Sequence, residues 1–228
     1  IQNVLIGYAG TNLTDADYNV AVGVSALNTD TKGNRSTAIG SQALNAQNFT
    51  SPTDTYNTAV GYAAGVAVTT GVQNTFVGGQ AGDGTDNGLR NSALGYLALS
   101  ANCADDNAAI GSSALTAFTG SNATAVGSGA ADVAGAQTNL TAVGKGALGV
   151  ATSGNNNTAV GASSLQTIDG AENTAVGVSA LAADCVSSNT AVGYYALTGF
   201  TGSDATAIGV YAADVAGSQT DLTAIGKD

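Results

Sequence analysis

The chain has no histidine, no tryptophan, no methionine and a single proline, and its lysines and arginines together number 5 against 16 aspartates and glutamates. Each shortage removes a class of function. Without histidine, the commonest general base and metal ligand are gone. A formal net charge of −11 leaves no basic patch to neutralise nucleic-acid phosphates or an anionic membrane surface. Charged residues are 9% of the chain, against roughly 25% in an ordinary globular domain. Thr, Ser and Asn replace them as the solvent-facing types. No apolar run approaches the roughly 18 residues of a membrane-spanning helix, so no membrane insertion is expected in this segment. Nothing reads as a signal peptide and no initiator Met is present, which gives the expectation of a mature or excised segment, compatible with export.

What the chain has instead is a repeat. Asn157-Thr158-Ala159-Val160-Gly161 recurs, with small changes, from end to end. Anchored on its last glycine, the motif ends at Gly7, Gly23, Gly40, Gly61, Gly78, Gly95, Gly111, Gly127, Gly144, Gly161, Gly177, Gly193, Gly209 and Gly226. Successive anchors differ by 16 or 17 residues except for the step of 21 from Gly40 to Gly61, which holds the lone proline in Phe49-Thr50-Ser51-Pro52. Helical repeats run from about 33 residues upward. A period this short suits one turn of a β-solenoid, with two short strands and two bends per turn and turns stacked ~4.8 Å apart. The fold class expected is therefore all-β, a parallel β-solenoid or β-roll of about fourteen turns, on the order of 60 Å long.

The columns of the repeat carry the physics. The residue before the glycine is Val, Ile or Leu, and the one before that is Ala in all copies but Leu5 and Phe76. Asn opens most copies, including Asn57, Asn74, Asn91, Asn157, Asn173 and Asn189. Ala-Leu follows the glycine, as in Ala98-Leu99 and Ala180-Leu181. Stacked Val and Ile predict the core ladder, so Val60, Val160, Val176 and Val192 are expected to be buried. In-register amides at a bend stack well, and glycine permits a corner with positive φ. Successive side chains point to opposite faces of a strand, so Ala159 and Ala180 are expected on the outside. An Ala column there would let a neighbouring chain approach closely. That reasoning predicts a side-by-side assembly, a homotrimer in the simplest case.

A longer repeat overlies the short one. Asn107 to Gly144 and Asn189 to Gly226 align with a shift of 82 residues, or five turns, as a tandem duplication would leave them. The chain of 228 residues could make one or two ordinary domains. The unbroken repeat gives one domain over 1–228, with both ends, at Ile1 and Asp228, expected to be uncapped and open to end-to-end stacking.

N-T-A-V-G followed by A-L resembles the head repeats of trimeric autotransporter adhesins, the YadA-like head with its S-V-A-I-G core, and is similar to repeats in bacteriophage tail fibres. The resemblance covers essentially the whole chain. It implies a left-handed parallel β-roll, three chains side by side, and a role in adhesion at a cell surface or on a virion, with a host-surface glycan or protein as a possible ligand.

Residues able to do chemistry are few, and no catalytic, cofactor-binding or metal site is expected. Asp105-Asp106 is a carboxylate pair on a bend. Asp83 to Gly88 is similar to the opening of a calcium loop, but its twelfth position is Leu94, where such loops need a bidentate Glu. The Thr column, with Thr124, Thr158 and Thr190 among its members, is similar to the faces of ice-binding solenoids. Those carry a second outward Thr where this chain has Val or Ile, so a scaffold face is the preferred reading. N-x-S/T triplets at Asn12, Asn34, Asn48, Asn122, Asn139 and Asn156 are glycan acceptors only in an exporting host. Cys103 and Cys185 share a column five turns apart, about 24 Å at ~4.8 Å per turn, which is beyond disulfide reach. They are read as buried thiols, with a bond between neighbouring chains as the alternative.

Overall fold

The structure, a computed structural model, describes residues 2–132, 135–151, 153–215 and 217–227. The terminal residues Ile1 and Asp228, where the uncapped ends were placed, lie outside that description. No described residue is helical. The chain forms two compact units, Ile1–Ser113 and Ala114–Asp228.

The first unit contains β1 (Val4–Ile6), β2 (Val20–Val22), β3 (Gly33–Asn34), β4 (Thr37–Ile39), β5 (Thr53–Asp54), β6 (Thr58–Val60), β7 (Thr75–Val77), β8 (Ser92–Leu94) and β9 (Ala108–Ile110). Strands β1, β2, β4, β6, β7, β8 and β9 stack in that order as one parallel ladder. The second unit contains β10 (Thr124–Val126), β11 (Thr141–Val143), β12 (Val150–Ala151), β13 (Thr158–Val160), β14 (Thr167–Ile168), β15 (Thr174–Val176), β16 (Thr190–Val192), β17 (Thr206–Ile208) and β18 (Thr223–Ile225). Its ladder runs β10, β11, β13, β15, β16, β17, β18. The registers place like on like: Thr158 faces Thr174, Ala159 faces Ala175, and Val160 faces Val176. The chain is thus a parallel β-solenoid whose turns are those of the sequence repeat.

Two expectations about the turn are corrected. Most turns carry one regular strand rather than two. Second strands occur only as the pairs β3–β5 and β12–β14, and elsewhere among the described residues the opposite wall is held by single backbone bonds between turns, such as Leu181 N–H to the Ala196 carbonyl at 2.9 Å. The cause is a run of left-handed corners. Ser179, Leu181, Tyr195 and Leu197 have φ of 52, 52, 58 and 51°, which interrupts extended backbone after every other residue.

The second correction concerns which side faces inward. Ala159, Ala175 and Ala191 are fully buried, whereas Val160, Val176 and Val192 are 36, 38 and 37% exposed. Val60 is half-buried. The strand is only three residues long, so its middle residue alone points into the coil and its flanking Thr and Val both point out. The opposite wall supplies the bulk. Ala180 and Leu181 are both fully buried, because the left-handed Leu breaks the alternation that would have sent one of them outside. The interior therefore matches a small Ala on one wall with a large Leu on the other, and a Val column facing inward would overfill it.

Phe76 tests that volume rule. It replaces the inward Ala in β7 and remains fully buried. The Leu column changes to glycine on both adjoining turns: a Cβ at Gly65 would lie 2.9 Å from the Phe76 ring, and one at Gly82 2.5 Å from it. Leucine is deleted where phenylalanine arrives.

Three further features hold the coil. The anchor glycines are required twice over: Gly161 has φ of +133°, and a Cβ there would lie 2.4 Å from the Gly177 carbonyl oxygen of the next turn. The asparagines form a buried ladder. Asn157 Oδ1 accepts from Asn173 N–H at 2.9 Å, Asn173 Oδ1 from Asn189 N–H at 2.9 Å, and Asn189 Oδ1 from Ala205 N–H at 3.0 Å. Each amide thus satisfies a corner backbone donor that would otherwise be buried unpaired. In the copy that ends at Gly40 the ladder is interrupted by Ser36, and a polar plug shared between that turn and the long one after it takes over. The carboxylate of the fully buried Asp30 accepts from Gly33 N–H at 3.0 Å, Phe49 N–H at 3.2 Å and Gln47 Nε2 at 2.6 Å. Gln47 donates on to Ser36 at 2.8 Å and accepts from Asn57 at 2.9 Å. The residues around Pro52 bulge only briefly, since Thr53–Asp54 returns to pair with Gly33–Asn34.

The inward alanine gives a paired test. Ala175→Asp, which places an unpaired carboxylate in the sealed interior, is expected to lower stability by about 3 kcal/mol or more. Val176→Asp, one residue along and on the outer face of the coil, is expected to change the stability of the separate chain by no more than about 1 kcal/mol. Denaturant titration of both variants, followed by circular dichroism at the strand band, checks the assignment; a larger loss for Val176→Asp would reverse it.

Candidate functional site

Among the described residues the inward Ala and Leu columns are buried, so the candidate sites lie on the surface. One continuous surface is the outer side of each ladder. In the second unit it presents Thr124, Thr141, Thr158, Thr174, Thr190, Thr206 and Thr223 as one column. The parallel column reads Val126, Val143, Val160, Val176, Val192, Ile208 and Ile225, and neither column holds a charge. In the first unit the Thr column gives way to Ser92 and Ala108. That loss of side-chain volume leaves a shallow apolar depression of about 190 Å³ lined by residues that include Val77, Leu94 and Ile110.

The candidates from the sequence do not converge. Among the described residues no group of three or more His, Cys, Asp or Glu could hold a metal ion. The turn from Asp83 to Gly88 is shaped by stacking: a Cβ at Gly84 would lie 2.1 Å from the Ser100 carbonyl oxygen, and one at Gly88 2.7 Å from that of Cys103. Asp86 Oδ1 is taken by the Thr69 hydroxyl. Asp83 Oδ1 is buried without a partner, and desolvation pushes its pKa up against the hydrogen bonds from its own backbone and Gln80. The Asp105-Asp106 pair serves Arg90. Asp106 accepts from Arg90 Nε at 2.6 Å and Nη2 at 2.9 Å, a bond that holds its carboxyl below the usual range, while Asp105 lies 3.5 Å from the same guanidinium.

The acceptor asparagines Asn12, Asn48, Asn122, Asn139 and Asn156 are exposed and Asn34 is half-buried. Asn139 Nδ2 donates to Asn156 Oδ1 at 2.9 Å. Both cysteines are free and 2% exposed, and the Cys103 thiol lies 3.4 Å from the Thr85 hydroxyl. They are packed inside their own turns and are not presented to a neighbour, as a bond between chains would require.

The tyrosines form a feature that sequence reasoning missed. Tyr194, Tyr195 and Tyr211 make an aromatic cluster on the surface of the second unit. Ring centroids lie 4.4 Å apart for Tyr194–Tyr195, 5.4 Å for Tyr194–Tyr211 and 5.6 Å for Tyr195–Tyr211. Tyr194 and Tyr211 are 44 and 36% exposed. Crowding by the other rings pushes the Tyr194 phenol pKa up, first by desolvation and then through hydrogen bonding with Tyr211. In the first unit Arg35 lies 4.9 Å from the Tyr18 ring and 5.9 Å from the Tyr56 ring, with its Nε 3.0 Å from Asp54. A signal was present in the sequence: across the shift of 82, Tyr194, Tyr195 and Tyr211 stand where the other block has Ser112, Ser113 and Gly129.

No protein-family model matches the chain, and a search of curated proteins finds no match either.

The buried thiols yield a chemical test. Burial pushes the Cys185 pKa from its ordinary 9.0 up to about 12, so the reactive thiolate is absent near neutrality. The native protein at pH 8 is expected to resist a thiol-reactive dye and to take up two equivalents after unfolding. Because the unfolded thiol ionises first, this group makes stability fall as pH climbs above 9.0. Fast labelling of the folded protein would contradict both statements.

Proposed function

We propose that the chain is a rigid, non-enzymatic rod segment of an extracellular fibre or adhesin, and that it works as an assembly of parallel chains. One observation carries this reading: an interior closed largely by Ala, Leu and Asn, beside an outer face that repeats an uncharged pair, most often Thr with Val or Ile, from rung to rung. A solenoid with no internal chamber has stiffness and surface to offer. Partly exposed apolar columns over successive rungs are a surface that association would cover.

The contact face in this proposal is the Thr/Val face. Ala159 and Ala180, from which the side-by-side assembly was first argued, lie within the coil and take no part. Three chains meeting on their Val columns is the arrangement proposed, taken from the resemblance of T-A-V-G to the head repeats of trimeric autotransporter adhesins. End-to-end stacking would extend such a rod. The setting proposed is a bacterial surface or a virion, where a tail-fibre shaft would meet the same demands. Nucleic acid has no place in it, given the net charge of −11, and the proposal includes no cofactor. No helix among the described residues is long and apolar enough to cross a membrane.

Light scattering tests the assembly. The expected mass is three times the 21.9 kDa of one chain. Val160→Lys, Val176→Lys and Val192→Lys together are expected to reduce it to a single chain, with the strand signal in circular dichroism unchanged. A wild-type protein that runs as one chain at micromolar concentration would refute the proposal.

A further inference from the structure

The tyrosine cluster is not needed for folding, and the chain itself supplies the control. Ser112, Ser113 and Gly129 occupy the matching positions of the duplicated block, and the backbone there is the same: φ is 57° at Ser113 and 58° at Tyr195, 63° at Gly129 and 59° at Tyr211. Tyr211 therefore sits in a left-handed conformation that glycine occupies at less cost. The corner itself accepts side chains, since Ser113, Ser163, Ser179 and Tyr195 hold the same place in their turns with φ of 52 to 58°. What sets this block apart is three touching rings, of which Tyr194 and Tyr211 stay 44 and 36% exposed, an aromatic surface that the other block folds without.

We propose that Tyr194, Tyr195 and Tyr211 form a stacking platform for a neutral pyranose ring of a surface glycan. Aromatic faces carry partial negative charge. The C–H bonds on one side of a pyranose carry partial positive charge, so a sugar ring rests flat on such a face with its hydroxyls directed to the rim. Here the rim has three phenols. The rings are inclined to one another by 36 to 86°, so the platform is stepped and within 5.6 Å across its centroids, the footprint of one or two sugar units. A proline-rich peptide needs a longer groove between aromatic walls, which three touching rings do not provide. The net charge of −11 selects against acidic sugars. The glycan as partner rests on the surface-fibre reading above; the platform itself requires only the second unit.

The chain has no tryptophan and 8 tyrosines, so emission comes from tyrosine alone, and the difference between the wild type and the variant below isolates the three rings. The probes are maltohexaose, cellohexaose and the hexamer of N-acetylglucosamine, titrated at millimolar concentration by fluorescence and calorimetry. The test variant carries Tyr194→Ser, Tyr195→Ser and Tyr211→Gly, the residues that the other block already uses. Binding of at least one hexamer is expected, weakened by about tenfold or more in the variant (about 1.4 kcal/mol), with the melting temperature equal or raised. No binding of any hexamer overturns the proposal, as does equal binding by the variant. Binding of a proline decamer in place of the sugars makes the platform a peptide site. A fall in wild-type assembly mass on mutation makes it a contact between copies. Because the Val→Lys variant tests assembly separately, failure there leaves the sugar measurement intact.

Discussion

The inner width of the coil governs the rest of the structure. On most turns it admits one methyl from the strand wall and one isobutyl from the wall opposite. Ala faces in from Thr158–Val160 and Thr174–Val176 because nothing larger fits beside Leu165 and Leu181, all of them sealed from solvent. Phe76 enters only where Gly65 and Gly82 withdraw. In a globular core an oversized side chain can be absorbed by neighbours on several sides. Here each residue has two walls and its own copies above and below, so compensation must come from the same one or two columns.

The tight turn is costly to its backbone. Left-handed corners recur throughout both units, and most are occupied by side-chain residues rather than glycine. Each such residue gives up on the order of 1 kcal/mol relative to a right-handed conformation. What offsets this is repetition of satisfied groups: the Asn amides close the donors at one corner, and the anchor glycines let carbonyls of successive turns approach where a Cβ would collide. Val and Thr are left outside by the same geometry, so the chain's solvent-facing chemistry follows from how little room there is within.

Much of the architecture was legible in the sequence because it is periodic. The spacing of Gly40, Gly61, Gly78 and their kin marks the turns, and the recurrence of Asn marks a corner that needs an amide. The polarity of the strand was not legible. In Thr-Ala-Val two adjacent apolar residues compete for the inside, and alternation alone cannot choose between them; the choice depends on the Leu arriving from the other wall. Nor could alternation anticipate that Leu181 has φ of 52° and so shares a face with Ala180. The candidate site had a different obstacle. Tyrosines scattered through a repeat look like surface filler, and only the comparison of Tyr194, Tyr195 and Tyr211 with Ser112, Ser113 and Gly129 of the other block separates them from it. Asp30 was unreadable for a related reason, since its donors come from Gln47 and Phe49, in a turn with no repeat-wide pattern.

A coil of near-identical rungs has a bookkeeping problem of its own: one turn can pair with the wrong neighbour and still match Thr to Thr and Ala to Ala. The polar plug between the long turn and the one before it answers it for the first unit. Backbone bonds from Ala46 to Val66 and from Asn48 to Thr69 put Val68 one turn beyond Gln47 in the same column. A chain threaded one rung out of step would lay the Asp30 carboxylate against Val68, which is buried and has no side-chain donor. A charge stranded in that way costs several kcal/mol, while the true pairing costs nothing of the kind. Asp30 thus acts as an index mark, a single irregular tooth that makes an otherwise uniform rack mesh in one position only.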